Sequence, residues 1–337
     1  MTPGKLAGMK AVSTAAGTIG AAAMDQRGSL KKALAKASGG EVTDAMMEEF
    51  KGAVTEVLTP HASAILLDPQ WGIAPSRKRS ANAGLLLAYE QSGYDNTRPG
   101  RLPDLLSHWS VRRLKEAGAD CVKVLLYYTP FDTSDVNEEK HAWVERIGDE
   151  CRTNDIPFFL EFVGYDPAGG DEKGAEFARV KPRVVAASMA EFTQDRYGVD
   201  VMKVEVPVNM KFVEGARSFS GEAAYTRAEA LDHFRAAAAA ATRPFIYLSA
   251  GVSNGEFTES LELAAESGVS WAGVLCGRAT WKDGIPVYAR EGVGAFRRWL
   301  ESEGVENIGN VNERLTRARP WFDAFGAASA DALLTTA

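Results

Sequence analysis

Eight short apolar runs, each followed by sequence of helical character, constrain this chain more than any other feature. The runs cover residues 19–25, 62–68, 83–89, 120–127, 157–163, 200–208, 244–250 and 270–276, and several of them end in an acid or a proline. Runs this apolar are expected as strands buried on both faces. Helices are expected from Ser29, over 43–58 with Thr43 as cap, over 104–117, around Trp143, Ile147 and Cys151, over 181–197 and over 226–241. Two more follow, one on Phe257, Leu261 and Ala264 and ending at Gly268, the other marked by Val293, Phe296 and Leu300. Strand–helix alternation implies a parallel sheet. A count of eight in 337 residues suits a closed (β/α)8 barrel, an α/β fold, better than an open doubly wound sheet. No GxGxxG follows the first run, which weakens a dinucleotide-binding reading. With no linker or repeat in view, residues 1–337 are expected to form one barrel domain, with an extension over 1–17 and a helical tail over about 301–337.

Composition narrows the function. The chain is 45% hydrophobic and carries a net charge of −7 with both signs mixed along it. The absence of a basic run argues against a nucleic-acid partner. No stretch of about 18 apolar residues is present, so no membrane span is expected. Lys5 and Lys10 precede a small-residue stretch that imitates a signal peptide loosely, but it leads directly into the first strand and is read as mature sequence. Three widely spaced cysteines, Cys121, Cys151 and Cys276, form no CxxC pair, which points to a reducing compartment. The expectation is a soluble, cytoplasmic protein.

In a (β/α)8 barrel the active site lies at the C-terminal ends of the strands. The ionisable residues there are Asp25, Asp68, Lys123, Glu161, Lys203 and Arg278. Three of them, Lys123, Glu161 and Lys203, lie inside apolar runs on the fourth, fifth and sixth strands. Charges inside buried strands are costly unless paired or used; one could be a structural ion pair, but three on neighbouring strands point to a catalytic cluster. A desolvated lysine beside another cation is expected to lose its proton easily and to attack a ketone, giving a Schiff base. By these residues alone either Lys123 or Lys203 is the nucleophile, with Glu161 moving protons. At the ends of the seventh and eighth strands, Ser249, Gly251, Gly277 and Arg278 are expected to bind phosphate. His61, His108, His141 and His233 show no metal-ligand spacing, so no metal or other cofactor is expected.

The runs Met24-Asp25-Gln26-Arg27-Gly28, Asp200 to Met210 (DVMKVEVPVNM), Tyr247 to Val252 and Gly273 to Trp281 (GVLCGRATW), together with Leu125 to Tyr128 and Pro157 to Glu161, resemble tagatose 1,6-bisphosphate aldolases. These are the class I, metal-independent enzymes of the lactose/galactose tagatose pathway. The resemblance covers most of the chain, from about Asp25 to about Trp321. It implies cleavage of D-tagatose 1,6-bisphosphate, a phosphorylated ketose, to dihydroxyacetone phosphate and glyceraldehyde 3-phosphate. It also implies Lys203 as the Schiff-base lysine with Lys123 as its neighbour, Glu161 as acid/base, and Asp25 and Gln26 near the reacting carbons. Ser249, Gly251, Gly277 and Arg278 would hold the C1 phosphate, and the family is usually dimeric. The segment 216–222 is longer than the family's turn and 166–174 differs in composition, which leaves the group carried at C6 open. A 6-deoxy-6-sulfofructose 1-phosphate aldolase is the rival reading, and a non-catalytic sugar-phosphate sensor a second. Arg27, Arg77 and Lys78 are candidates for a second phosphate, with plain surface charge as the competing explanation.

Overall fold

The structure, a computed structural model, describes residues 1–91 and 99–335. Eight strands, β1 (Ile19–Met24), β2 (Ala64–Leu67), β3 (Gly84–Ala88), β4 (Cys121–Tyr127), β5 (Phe158–Val163), β6 (Val201–Glu205), β7 (Phe245–Leu248) and β8 (Gly273–Cys276), pair in parallel in chain order. β8 closes on β1 to complete a (β/α)8 barrel. Each strand lies within the apolar run expected for it. The helices are α1 (Pro3–Ala11), α2 (Gly28–Ser38), α3 (Asp44–Leu58), α4 (Ile73–Ser76), α5 (Val111–Glu116), α6 (Ser134–Thr153), α7 (Ala175–Phe192), α8 (Arg227–Ala239), α9 (Asn254–Ser267), α10 (Arg278–Trp281), α11 (Ile285–Trp299) and α12 (Val305–Arg314). None of the described helices is long and apolar enough to cross a membrane.

Two helices differ from the sequence expectation, each for a local reason. The helix expected over 104–117 begins only at Val111, where the Ser110 side chain accepts from the Arg113 amide. Ahead of it, residues 104–106 are held in extended form beside the end of β3: Gln91 N donates to Asp104 O at 2.8 Å and Leu106 N to Tyr89 O at 3.0 Å. The helix expected over 181–197 begins earlier, at Ala175, and runs through Pro182. A proline inside a helix leaves the carbonyl four residues back without its donor. Here that carbonyl is Ala178 O, and the Tyr225 hydroxyl donates to it, so α7 continues.

Alternation along the strands sorts the side chains into two cores. Met202 and Val204 of β6 face the helix layer with Phe158 and Leu160 of β5. The inward rows are apolar at the bottom: Ile19, Ala21 and Ala23 of β1, Cys121 of β4, Phe159 of β5, Val201 of β6 and Ile246 of β7. Leu6, Met9 and Val12, from α1 and its C-cap, and Trp321 close that end as a plug. Two residues further along the same inward rows stand Lys123, Glu161 and Lys203. The charges therefore sit on an apolar floor near the C-terminal ends of the strands. Asp155, three residues before β5 begins, caps α1 in trans by accepting from Gly4 N at 2.8 Å and Lys5 N at 3.1 Å.

Candidate active site

β4, β5 and β6 bring the three inward charges together through their register. Glu161 is paired in register with Lys203 and with Leu125, two residues beyond Lys123. A single oxygen of Glu161, Oε2, lies 2.8 Å from Lys203 Nζ and 2.8 Å from Lys123 Nζ. Lys123 is 1% exposed and Lys203 4%. The two amines thus share one carboxylate oxygen at the bottom of a cleft of about 1280 Å³.

The lysines are otherwise unequal. Lys123 Nζ also lies 2.8 Å from Asp25 Oδ2 and 3.2 Å from Glu90 Oε1. Burial alone would strip its proton, but the carboxylates of Asp25, Glu161 and Glu90 outweigh burial and hold its pKa well above the ordinary lysine value. The expectation that a neighbouring cation depresses a lysine here fails at Lys123, because three acids surround it. Burial likewise works against the charges of Asp25 and Glu161, yet Lys123 and Lys203 keep both carboxyls below the usual range. At Glu90 burial prevails over Lys123 and Arg27, and its carboxyl is pushed up. Lys203 has Glu161 as its only ion-pair partner among the described residues.

The ends of β7 and β8 form the second part of the site. Ala250 and Gly251 both adopt left-handed backbone, with φ of 47° and 79°, and Val252 N donates to Ser249 O at 3.0 Å. The result is a tight turn with two successive positive-φ residues, a concavity suited to an anion. A side-chain carbon at Gly251 would come within 2.8 Å of Arg278 Cζ, so the guanidinium lies directly against the glycine. At Gly277, which precedes α10, an added carbon would meet Ala23 O at 3.0 Å and Gln26 Nε2 at 3.3 Å. Ser249, Gly251, Gly277 and Arg278 all line the cleft, as do Asp25 and Gln26. Lys282 Nζ donates to Gly251 O at 2.9 Å and braces the turn.

Other expected residues fall elsewhere. Asp68 does not line the cleft; its carboxylate is fully buried 2.5 Å from Lys51 Nζ. Arg77 and Lys78 are exposed after α4 and outside the cleft, whereas Arg27 is buried and lines it. The segment 216–222 does not reach the cleft either, since Glu259 of α9 accepts from Arg217 N, Ser218 N and Ser218 Oγ and holds it outside. Asp166, Gly169, Glu172 and Lys173 of the other divergent loop do line it. The polar, Gly- and Pro-containing stretch 91–103 reads as a loop in the sequence; of it Gln91, Pro99, Gly100 and Arg101 line the cleft, and residues 92–98 lie outside the described residues. Sequence reasoning missed Glu90 and Lys51. Glu90 follows its apolar run directly, as Asp25 and Asp68 close theirs, and Lys51 shares the stripe of Met47, Val54 and Leu58 on α3.

Comparison with known proteins fits this geometry. Residues 19–283 match the family described as DeoC/LacD family aldolase. A curated relative from Enterococcus faecalis, named tagatose 1,6-diphosphate aldolase 2, is 52% identical over 313 residues, covering 93% of this chain and 94% of its own. A Listeria monocytogenes protein named tagatose 1,6-diphosphate aldolase is 48% identical over 328 residues, covering 97% and 96%. Among solved structures, one of a Schiff-base-forming fructose-1,6-bisphosphate aldolase superposes with a TM-score of 0.52 at 15% identity, over 88% of this chain and 99% of that one. The last likeness is one of fold.

Proposed function

This chain belongs to the DeoC/LacD family of aldolases, and on that premise we propose that it cleaves D-tagatose 1,6-bisphosphate through a Schiff base on Lys203, releasing dihydroxyacetone phosphate and glyceraldehyde 3-phosphate. The names of its relatives support the substrate. The observation that carries the mechanism is the one carboxylate oxygen shared by two unequal lysines. Lys123, held as an ammonium by three acids, is no nucleophile and serves as fixed positive charge. Lys203 gives a proton to Glu161 and its neutral amine attacks the C2 ketone. Glu161 returns the proton to the carbinolamine hydroxyl, which leaves as water. The iminium then accepts the electron pair of the C3–C4 bond as Glu161, again a carboxylate, takes the proton of the C4 hydroxyl and the aldehyde departs. Protonation at C3 and hydrolysis release the second product. Ser249, Gly251, Gly277 and Arg278 hold the C1 phosphate, and Asp25 and Gln26 face the reacting carbons.

Borohydride reduction in the presence of dihydroxyacetone phosphate, followed by peptide mass mapping, tests this reading. A stable adduct on Lys203, formed equally well with a chelator present, is expected. An adduct on Lys123 alone would show that the nucleophile is misassigned. No adduct and no cleavage would leave a sugar-phosphate sensor. The reading extends to a homodimer, as the family resemblance implies, and to the cytoplasm, where the buried free thiols of Cys121, Cys151 and Cys276 remain reduced.

Gly251→Ala provides a separate check of the phosphate site. The new carbon would stand 2.8 Å from the Arg278 guanidinium at a backbone φ of 79°, so the arginine must move and the turn is strained. A phosphate held equally in ground and transition states affects KM rather than kcat. KM is expected to rise about tenfold, or about 1.4 kcal/mol, with kcat within about twofold. An unchanged KM in steady-state assays would place the phosphate elsewhere.

A further inference from the structure

At the N-terminal end of the barrel, opposite the catalytic cleft, a second cavity of about 350 Å³ opens between the start of β7, the approach to β8 and the segment 319–324. Ala238, Ala241, Pro244 and Phe245 make its walls apolar, and Trp271 and Trp321 complete them. Backbone bonds pin this frame: Arg319 N donates to Trp271 O, Ala272 N to Phe245 O and Trp321 N to Gly17 O, each at 2.8 Å. A cavity already formed, of this size and apolar, suits a small ligand. Both tryptophans are buried, at 2% exposure or less, and neither indole N–H has an acceptor among the described residues. Outside the catalytic cleft, the described residues leave only one other buried side-chain N or O atom without a partner, Asn137 Oδ1. An indole N–H can only donate, and a buried donor without an acceptor is costly. Two arginines add positive charge to the same walls. Arg319 is exposed, and its guanidinium has no acid, carbonyl or ring as partner among the described residues. Arg243 pairs with Asp195, whose side chain is 97% exposed, and such a pair holds it weakly. Against these two, Asp323 is the one acid in the lining.

We propose that this cavity is a second ligand site, one that takes a flat organic anion with an apolar body bearing a carboxylate or a phosphate. Phe245, Trp271 and Trp321 in the lining favour a flat body. The anion's oxygens accept from the two indoles and the two guanidiniums, which between them offer donors and positive charge. None of the residues that line this cavity lines the catalytic cleft, so its ligand binds apart from the substrate.

The test uses the full chain with its seven tryptophans labelled with nitrogen-15, so that each indole N–H gives one NMR signal. The probes are benzoate, phenyl phosphate and the uncharged benzyl alcohol. Trp271→Phe identifies the Trp271 signal by its loss. At least one of the two anions is expected to move that signal saturably, with half-saturation at about 1 mM or below. Benzyl alcohol is expected to bind at least about tenfold more weakly, and the tighter anion identifies the headgroup. Arg319→Glu changes an exposed residue and should fold, which an unmoved Trp281 signal from the catalytic end of the barrel would verify. It is expected to weaken the better anion about tenfold. A Trp271 signal that neither anion moves at about 20 mM, a response to benzyl alcohol equal to that of the anions, or an unchanged affinity in Arg319→Glu would each overturn the site.

Discussion

Lys203→Ala is expected to lower kcat for aldol cleavage by about four orders of magnitude or more and to abolish the borohydride adduct, with the barrel intact. The fold should survive because of where the charges sit. Glu161 keeps Lys123 at 2.8 Å when Lys203 is removed, so its buried carboxylate is not orphaned. Urea unfolding should therefore shift by about 2 kcal/mol or less, the cost of trimming one buried aliphatic stem. Lys123→Ala is the opposite case, because Asp25, Glu90 and Glu161 would lose a common cation. The two measurements together separate chemistry from architecture. Turnover by Lys203→Ala within tenfold of wild type would remove the Schiff base from the mechanism.

Lys51→Met should be among the most destabilising single changes outside the reacting centre. Lys51 Nζ is fully buried and donates to Met24 O at 2.6 Å, Gln26 O at 2.9 Å and Asp68 Oδ2 at 2.5 Å. Without it Asp68 keeps, among the described residues, only the amides of Gln70 and Trp71, and two carbonyls flanking Asp25 lose their donor. Removing one partner of such a pair costs about 3–5 kcal/mol, readable as a lower urea midpoint. The double variant Lys51→Met/Asp68→Leu should recover much of that loss, because an apolar pair no longer strands a charge. Activity should not recover with it. The Met24 and Gln26 carbonyls bracket the residue that pairs with Lys123, and methionine cannot anchor them. A single-variant loss below about 1 kcal/mol would assign the Lys51 ion pair no net worth.

Much of this was legible in the chain because it depends on short-range pattern. The apolar runs and helical stripes placed eight strands within a few residues. The errors arose where a distant partner decided the outcome: Asp104 is held by Gln91, and the carbonyl freed by Pro182 is rescued by Tyr225. The segment 216–222 looked like part of the site from its length alone, but Glu259 ties it away from the cleft.

The division at the site follows the same line. Their place inside apolar runs on three consecutive strands by itself singled out Lys123, Glu161 and Lys203; in the barrel they stand on inward rows, since side chains along a strand face one side at every second residue. Those three residues gave the Schiff-base chemistry, and the resemblance then selected Lys203 and named the substrate. Neither showed why Lys123 keeps its proton, because that depends on how many carboxylates stand within about 3–4 Å of it, where Coulomb interactions outweigh desolvation. Asp25, Glu90, Glu161 and Lys123 come from four different strands or their ends, up to 136 residues apart between Asp25 and Glu161, and only the closed barrel brings them together. Among the described residues, the same closure leaves two nitrogens of Arg27 buried without acceptors. Local pattern determined which charges lie within the buried strands; three-dimensional proximity decided which partners each of them meets.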